Sequence, residues 1–148
     1  MESGVNNKLV NKKKFEVLLF DSPACFPVCF IRHSWFVINE KGKFSRWEVL
    51  YRRNKNKSFG FLHKDDYPLF SGIDVLLFTN KWRWNSRFLG KCDGVLAKDM
   101  IKFIKSSKKN YPYLHKYYLS FLNSNTYIKW ILKNFPKFKG KLSWNAMG

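Results

Sequence analysis

Negative charge is scarce in this chain. Among 148 residues, Asp and Glu total 10 against 28 Lys and Arg, a formal net charge of +18. Cysteine is scarce too. Cys25, Cys29 and Cys92 are an odd set that does not suggest a disulfide framework. No apolar run approaches the roughly 18 residues that a membrane-spanning helix needs. The apolar stretch behind Lys12, Lys13 and Lys14 is cut by Glu16 and Asp21, unlike a signal peptide. There is no Gly-rich phosphate loop, no carboxylate pair at helical spacing, no internal repeat and no coiled-coil heptad. These absences exclude a disulfide-stapled scaffold, a helical membrane protein, a P-loop nucleotide enzyme and a solenoid. The remaining reading is one soluble, cytoplasmic domain over residues 15–148, behind a flexible basic leader over residues 1–14.

Aromatics make up 19% of the chain and hydrophobic residues 45%, which argues against disorder. A chain of this length buries about 68–70% of its unfolded surface. The basic residues are 22 Lys and only 6 Arg. Arg is the usual reader of phosphates and bases because its planar fork is bidentate. Lys, Asn, Phe and Tyr also share A/T-rich codons, so codon bias offers another source for this composition. Still, no acidic residue follows Asp99. One functional reading is therefore a non-enzymatic basic protein that binds nucleic acid or anionic surfaces.

Several segments read as strands: Phe15–Phe20, Ile31–Asn39, Phe44–Arg53 and Ile73–Phe78, with a turn at Asp21–Phe26. Glu40-Lys41-Gly42-Lys43 reads as a hairpin turn in which Gly supplies a positive φ. Alternation puts His33, Trp35 and Val37 on one face of their strand, and Arg46, Glu48, Leu50 and Arg52 on one face of the next. Asn54–Ser58 reads as a polar turn and Tyr117–Leu122 as a short extended piece. Leu96, Met100, Phe103 and Ile104 predict an amphipathic helix over Gly94–Ser107, with Lys98, Lys102 and Lys105 opposite. Tyr127, Ile128, Ile131 and Leu132 predict a second over Asn125–Asn134, closed by Pro136. The class is α+β: an antiparallel sheet packed by two main helices.

Two constellations carry chemistry. Asn123-Ser124-Asn125-Thr126 is dense in helix-capping residues and puts the Ser124 hydroxyl where a helix dipole and unpaired N–H groups stabilise an anion. A hydroxyl nucleophile needs a base, which His33 offers, and a group to orient the base, which Glu48 on the neighbouring strand offers. Each has a plainer alternative: Ser124 as a cap, His33 as a hydrogen-bonded core histidine, Glu48 paired with Arg46 or Arg52 on the strand surface. The second constellation is Cys25, Cys29 and His33, spaced by four, with Cys92 as a fourth candidate zinc ligand. Pro23 and Pro27 disfavour one helix carrying that set, so small buried thiols are its alternative and no metal is assigned. Nothing in the sequence calls for a cofactor.

The segments RHSWFVINE (Arg32–Glu40), FSRWEVLYRR (Phe44–Arg53) and NSNTYIKWILKNFPKFKGKLSWNAMG (Asn123–Gly148) resemble domain-of-unknown-function family 3750. The order of a His strand, a polar residue on the next strand and Asn-[Cys/Ser]-Asn at a helix start is, more loosely, similar to circularly permuted, NlpC-type papain-like hydrolases. That resemblance implies a papain-like fold and an amide, ester or thioester hydrolase or acyltransferase. It also implies Ser124 as nucleophile in place of the usual Cys, His33 as base and Glu48 as orienting residue. A site with Ser there can also be degenerate, binding without cleaving. Asn123, Asn125, Thr126 and Trp35 are the candidate binding residues around it. The implied partner is a small-molecule, peptide or lipid substrate.

Overall fold

Runs of β-branched and aromatic residues pair early in the chain, because such side chains pack well on a pleated surface. A computed structural model describes residues 6–52, 58–76, 79, 81–118 and 123–148. In it a helical turn, α1 (Asn6–Leu9), precedes β1 (Phe15–Pro23), β2 (Arg32–Glu40) and β3 (Lys43–Val49). Short strands follow: β4 (Ser58–Phe59), β5 (Leu62–Lys64), β6 (Ser71–Asp74) and β7 (Arg83–Asn85). Then come β8 (Arg87–Asp93), α2 (Gly94–Asn110) and α3 (Ser124–Asn134). The main sheet has the order β4-β5-β3-β2-β1-β8, antiparallel throughout, and β6 and β7 form a separate pair. The fold is thus a single α+β domain with an antiparallel sheet and two long helices.

The β2–β3 turn has φ of +53° at Lys41 and +96° at Gly42, the positive pair that a tight hairpin of matching twist requires. Strand β1 continues through Asp21 and Ser22, which the sequence suggests as turn. Its last pair is Pro23 with Arg32, at a strand end where a missing N–H donor costs least. The strand expected at Ile73–Phe78 is the shorter β6, and Leu77 and Phe78 lie outside the described residues. So do Arg53, most of the polar turn expected after it, and residues 119–122 of the expected extended piece.

Both faces of the sheet are covered. On one, Val17, Leu19, Phe36, Ile38, Trp47 and Val49 pack against α2 and α3. The α2 stripe is centred on Met100 and Ile104 and includes Ala97 and Ile101, while Leu96 and Phe103 lie at its margin. On the other face, Leu18, Phe20, Trp35 and Val37 are buried beneath Leu9, Val10, Phe44, Leu69 and Phe70. Before β1, the Asn11 N–H donates to Glu16 Oε2 at 2.8 Å.

Ile104 is fully buried at the centre of the helix-side core. Ile104→Ala should cost about 2–5 kcal/mol in urea unfolding, as core truncations of this kind do. Lys102→Ala, on the exposed face of the same helix, should stay within about 0.5 kcal/mol.

Candidate functional site

The sheet splits where β2 and β3 part. Their ladder runs from Glu40–Lys43 to Phe36–Trp47 and stops there. Beyond that point β2 continues back to Arg32 paired only with β1, and β3 continues to Val49 paired only with β5. The opening between them admits the first turn of α3 and the side chain of His33.

The helix start is built by Asn123, which is the N-cap. Its side chain accepts from the N–H of Asn125 at 2.9 Å and of Thr126 at 3.4 Å, and Thr126 Oγ1 accepts from the Asn123 N–H at 3.2 Å. This closed capping box leaves Ser124 as the first helical residue, so the capping role considered for its hydroxyl belongs to its neighbour. The Tyr127 N–H reaches the Asn123 carbonyl at 3.3 Å. Of the first turn's N–H groups, the one that the cap does not take is that of Ser124 itself. The Ser124 hydroxyl accepts from the Ser34 N–H at 3.4 Å, which places it beside the backbone of the residue after His33.

His33 and Glu48 point to the same face of the parted strands and meet there. His33 Nε2 lies 2.7 Å from Glu48 Oε2, and both side chains are buried. Glu48 also lies against Arg46: Arg46 Nη2 donates to Glu48 Oε2 at 2.7 Å, and Arg46 Nε is 2.7 Å from Glu48 Oε1. The other end of the guanidinium donates through Nη1 to the carbonyls of Pro68 and Ser71 at 2.6 and 2.5 Å. Trp35 lies under the pair, 3.9 Å from the guanidinium carbon and stacked on the His33 ring at 5.9 Å. Burial alone would raise the Glu48 carboxyl. The Arg46 charge and the His33 contact outweigh it and hold the carboxyl down at about 2. An ionised carboxylate only accepts, so Nε2 carries the proton of this bond, and in the neutral ring Nδ1 is left as the basic nitrogen.

Ser124 and His33 line one cavity of about 320 Å³, together with Asn123, Asn125 and Arg32. Glu48 sits behind His33, outside the lining. Two proposed binding residues are elsewhere: Trp35 is fully buried and supports His33 from below, and Thr126 completes the capping box. The rest of the wall is apolar and includes Cys25, Ile31, Leu50, Ile73 and Tyr117. Cys92 lies against Met100 on the helix side, away from Cys25. Among the described residues no group of three His, Cys, Asp or Glu could hold a metal.

Two residues outside the candidate set read from the sequence hold the site, one of them the Arg46 considered there as a surface partner of Glu48. Arg46 reads as a surface cation but is fully buried. The available signal was its place two residues from Glu48 on a strand whose other face is Trp47 and Val49. Asp21, also fully buried, accepts from Arg32 at 2.6 Å, from Arg87 at 3.1 and 2.9 Å and from Ser143 at 2.7 Å. Burial raises the Asp21 carboxyl, but these donors prevail and leave it lowered. The tail is thereby tied to the sheet. Asn125 Nδ2 then bridges the carbonyls of Arg32 and Met147 at 2.8 and 2.9 Å. Gly148 closes against the cap: an added Cβ would lie 2.6 Å from Asn123 Oδ1.

Because the folded state holds Glu48 and Asp21 ionised below their ordinary range, the unfolded chain takes up their protons first as pH falls. Stability from these groups is complete above the unfolded values. For Glu48 it drains between about 4.5 and about 2. Glu48→Gln should flatten that acid limb, Asp21 keeping part of the slope. Near neutral pH it should cost about 3–5 kcal/mol, because it strands the buried Arg46 charge. Urea unfolding over a pH series measures both effects.

Among proteins already described, no curated protein and no solved structure matches the chain. A family model described as protein of unknown function (DUF3750) matches residues 15–148. The match spans the whole main sheet, both long helices, the tail and every residue of the Ser124 cavity, and the chain belongs to this family.

Proposed function

We propose that the chain is a hydrolase or acyltransferase of the permuted papain-like kind, acting on an amide, ester or thioester through Ser124. One observation carries the reading. Ser124 and His33 share the wall of one cavity, and the second nitrogen of His33 is held at 2.7 Å by a buried carboxylate. In the first half-reaction Ser124 Oγ bonds to the acyl carbon while its proton passes to His33 Nδ1. The Ser124 N–H, at the positive end of α3, faces the developing oxyanion. His33 then returns the proton to the leaving nitrogen, oxygen or sulfur as its bond to carbon breaks, leaving an acyl-serine. Water or an acceptor nucleophile, deprotonated by the same nitrogen, then bonds to the acyl carbon as its bond to Ser124 Oγ breaks, and His33 returns the proton to Oγ. Glu48 orients the ring and balances the charge it gains, and Arg46 keeps Glu48 ionised.

A hydroxyl is far harder to ionise than a thiol, so this site depends on His33 more than a cysteine site would. Ser124→Ala and His33→Asn should each lower turnover of activated acyl esters by about 10³-fold or more. Ser124→Cys tests the environment without needing the substrate. Its thiol should be alkylated by iodoacetamide near neutral pH faster than a free thiol, read at position 124 by mass spectrometry. Alkylation no faster than that of a free thiol sinks the proposal.

A second reading, a non-enzymatic nucleic-acid binder, draws on the exposed lysines Lys98, Lys102, Lys105, Lys108 and Lys109 along α2. It requires affinity for nucleic acid that falls steeply with salt and is indifferent to Ser124.

A further inference from the structure

The Ser124 cavity has a distinct chemical character. Apart from His33, Arg32, the Asn-Ser-Asn turn and the amphipathic rings of Tyr51 and Tyr117, its wall is apolar and includes Ala24, Cys25, Val28, Ile31, Leu50 and Ile73. Sites that bind peptides, nucleotides or sugars need polar groups to pair with the many polar groups of the ligand. This wall offers few. The part of the ligand that fills the remainder is hydrocarbon.

The surface around the opening is apolar as well. The loop 24–31 forms one wall, and its Phe26 and Phe30 are 60% and 67% exposed. Phe26 bridges to Leu76, and the neighbouring Val75 N–H bonds the carbonyl of Trp82, 63% exposed. On the other side Asn145 Nδ2 donates to the Phe30 carbonyl at 2.8 Å, bringing in Trp144, 97% exposed. Met147, 44% exposed, follows on the same tail, fixed by Asn125. Large apolar side chains gathered at one place on a surface mark an interaction site.

Charge selects the occupant. Neither loop 24–31 nor the tail after Phe135 contains an acidic residue. Lys81 flanks Trp82, and Lys137, Lys139 and Lys141 precede Trp144, all exposed. Aromatic side chains rimmed by lysines suit the boundary of a bilayer, where rings sit at headgroup level and cations meet anionic lipid. We propose that this mouth docks on an anionic lipid bilayer and that the cavity receives one acyl chain of a lipid. The ester carbonyl then stands at Ser124. Only that last clause rests on the acyl-transfer reading.

The test uses the full chain carrying Ser124→Ala, so that lipid is not consumed. Co-sedimentation compares vesicles of phosphatidylcholine with vesicles of phosphatidylcholine and phosphatidylglycerol. Partition should favour the anionic vesicles by about tenfold or more and weaken with salt. Phe30→Ser with Trp144→Ser, both exposed, should reduce it about tenfold with an unchanged melting temperature. Equal partition with and without these two substitutions overturns docking. So does a preference for single-stranded DNA over vesicles that ignores the two substitutions. Dansyl-laurate fluorescence reports on the cavity. Laurate should displace the probe and butyrate should not, and Val28→Trp should weaken probe binding about tenfold. Displacement by both acids alike, or by neither, overturns the acyl-chain assignment. Turnover of soluble esters by the unsubstituted chain, with no vesicle binding by the Ser124→Ala chain, rejects docking and keeps the Ser124 chemistry. Vesicle and laurate binding by the Ser124→Ala chain, with no turnover by the unsubstituted chain, rejects the chemistry and keeps the lipid site.

Discussion

A single buried carboxylate joins what would otherwise be separate parts of the molecule. Glu48 faces Arg46 on its own strand and His33 on the next, and all three are shielded from water. An uncompensated charge at this depth would be costly, so each partner is needed by the others. Arg46 is fixed in turn by the carbonyls of Pro68 and Ser71 and by the Trp35 ring beneath it. The covering of the second sheet face, the loop around Pro68 and the orientation of the His33 ring thus share one electrostatic constraint. A lone histidine on a strand could turn freely between rotamers; this one is held from two sides.

The other half of the site is held by the hydrogen bonds of the helix cap and by the buried carboxylate of Asp21. Asn123 closes the first turn of α3, which frees the Ser124 hydroxyl from capping. Asn125 reaches sideways to β2 and to the tail. Asp21 secures the same tail through Ser143 and the same edge of β2 through Arg32. The tail thus acts as a strap between the helix start and the sheet end. Its final glycine sits where any side chain would strike the cap.

The gap in the sheet connects fold to chemistry. Antiparallel strands that remained paired beyond Phe36 and Trp47 would leave no opening beside His33. Because β3 turns to β5 and β2 stays with β1, two faces that a flat sheet keeps apart meet in one cavity. The apolar wall of that cavity comes from the loop between β1 and β2, from Leu50 beyond β3 and from Ile73 of β6.

Much of this was legible locally. Periodicity, the Gly42 turn and the capping-rich Asn123–Thr126 segment are short-range signals, set by side-chain alternation and backbone sterics, and they located the central strands, both helices and the candidate residues Ser124, His33 and Glu48. Alternation also put Arg46 and Glu48 on one face. It could not say that this face was buried, because nothing within a few residues records the loop that covers it, and so Arg46 passed for a surface cation. Trp35 looked like a binding residue for the same reason: its pattern marks a face, and only packing shows that His33 and Arg46 lie on top of it. The splitting of β2 from β3, the cavity and its apolar rim come from segments up to about a hundred residues apart. Their juxtaposition depends on which long-range pairs offset the entropy of closing those loops, and that balance is struck in the folded whole rather than in any local stretch of chain.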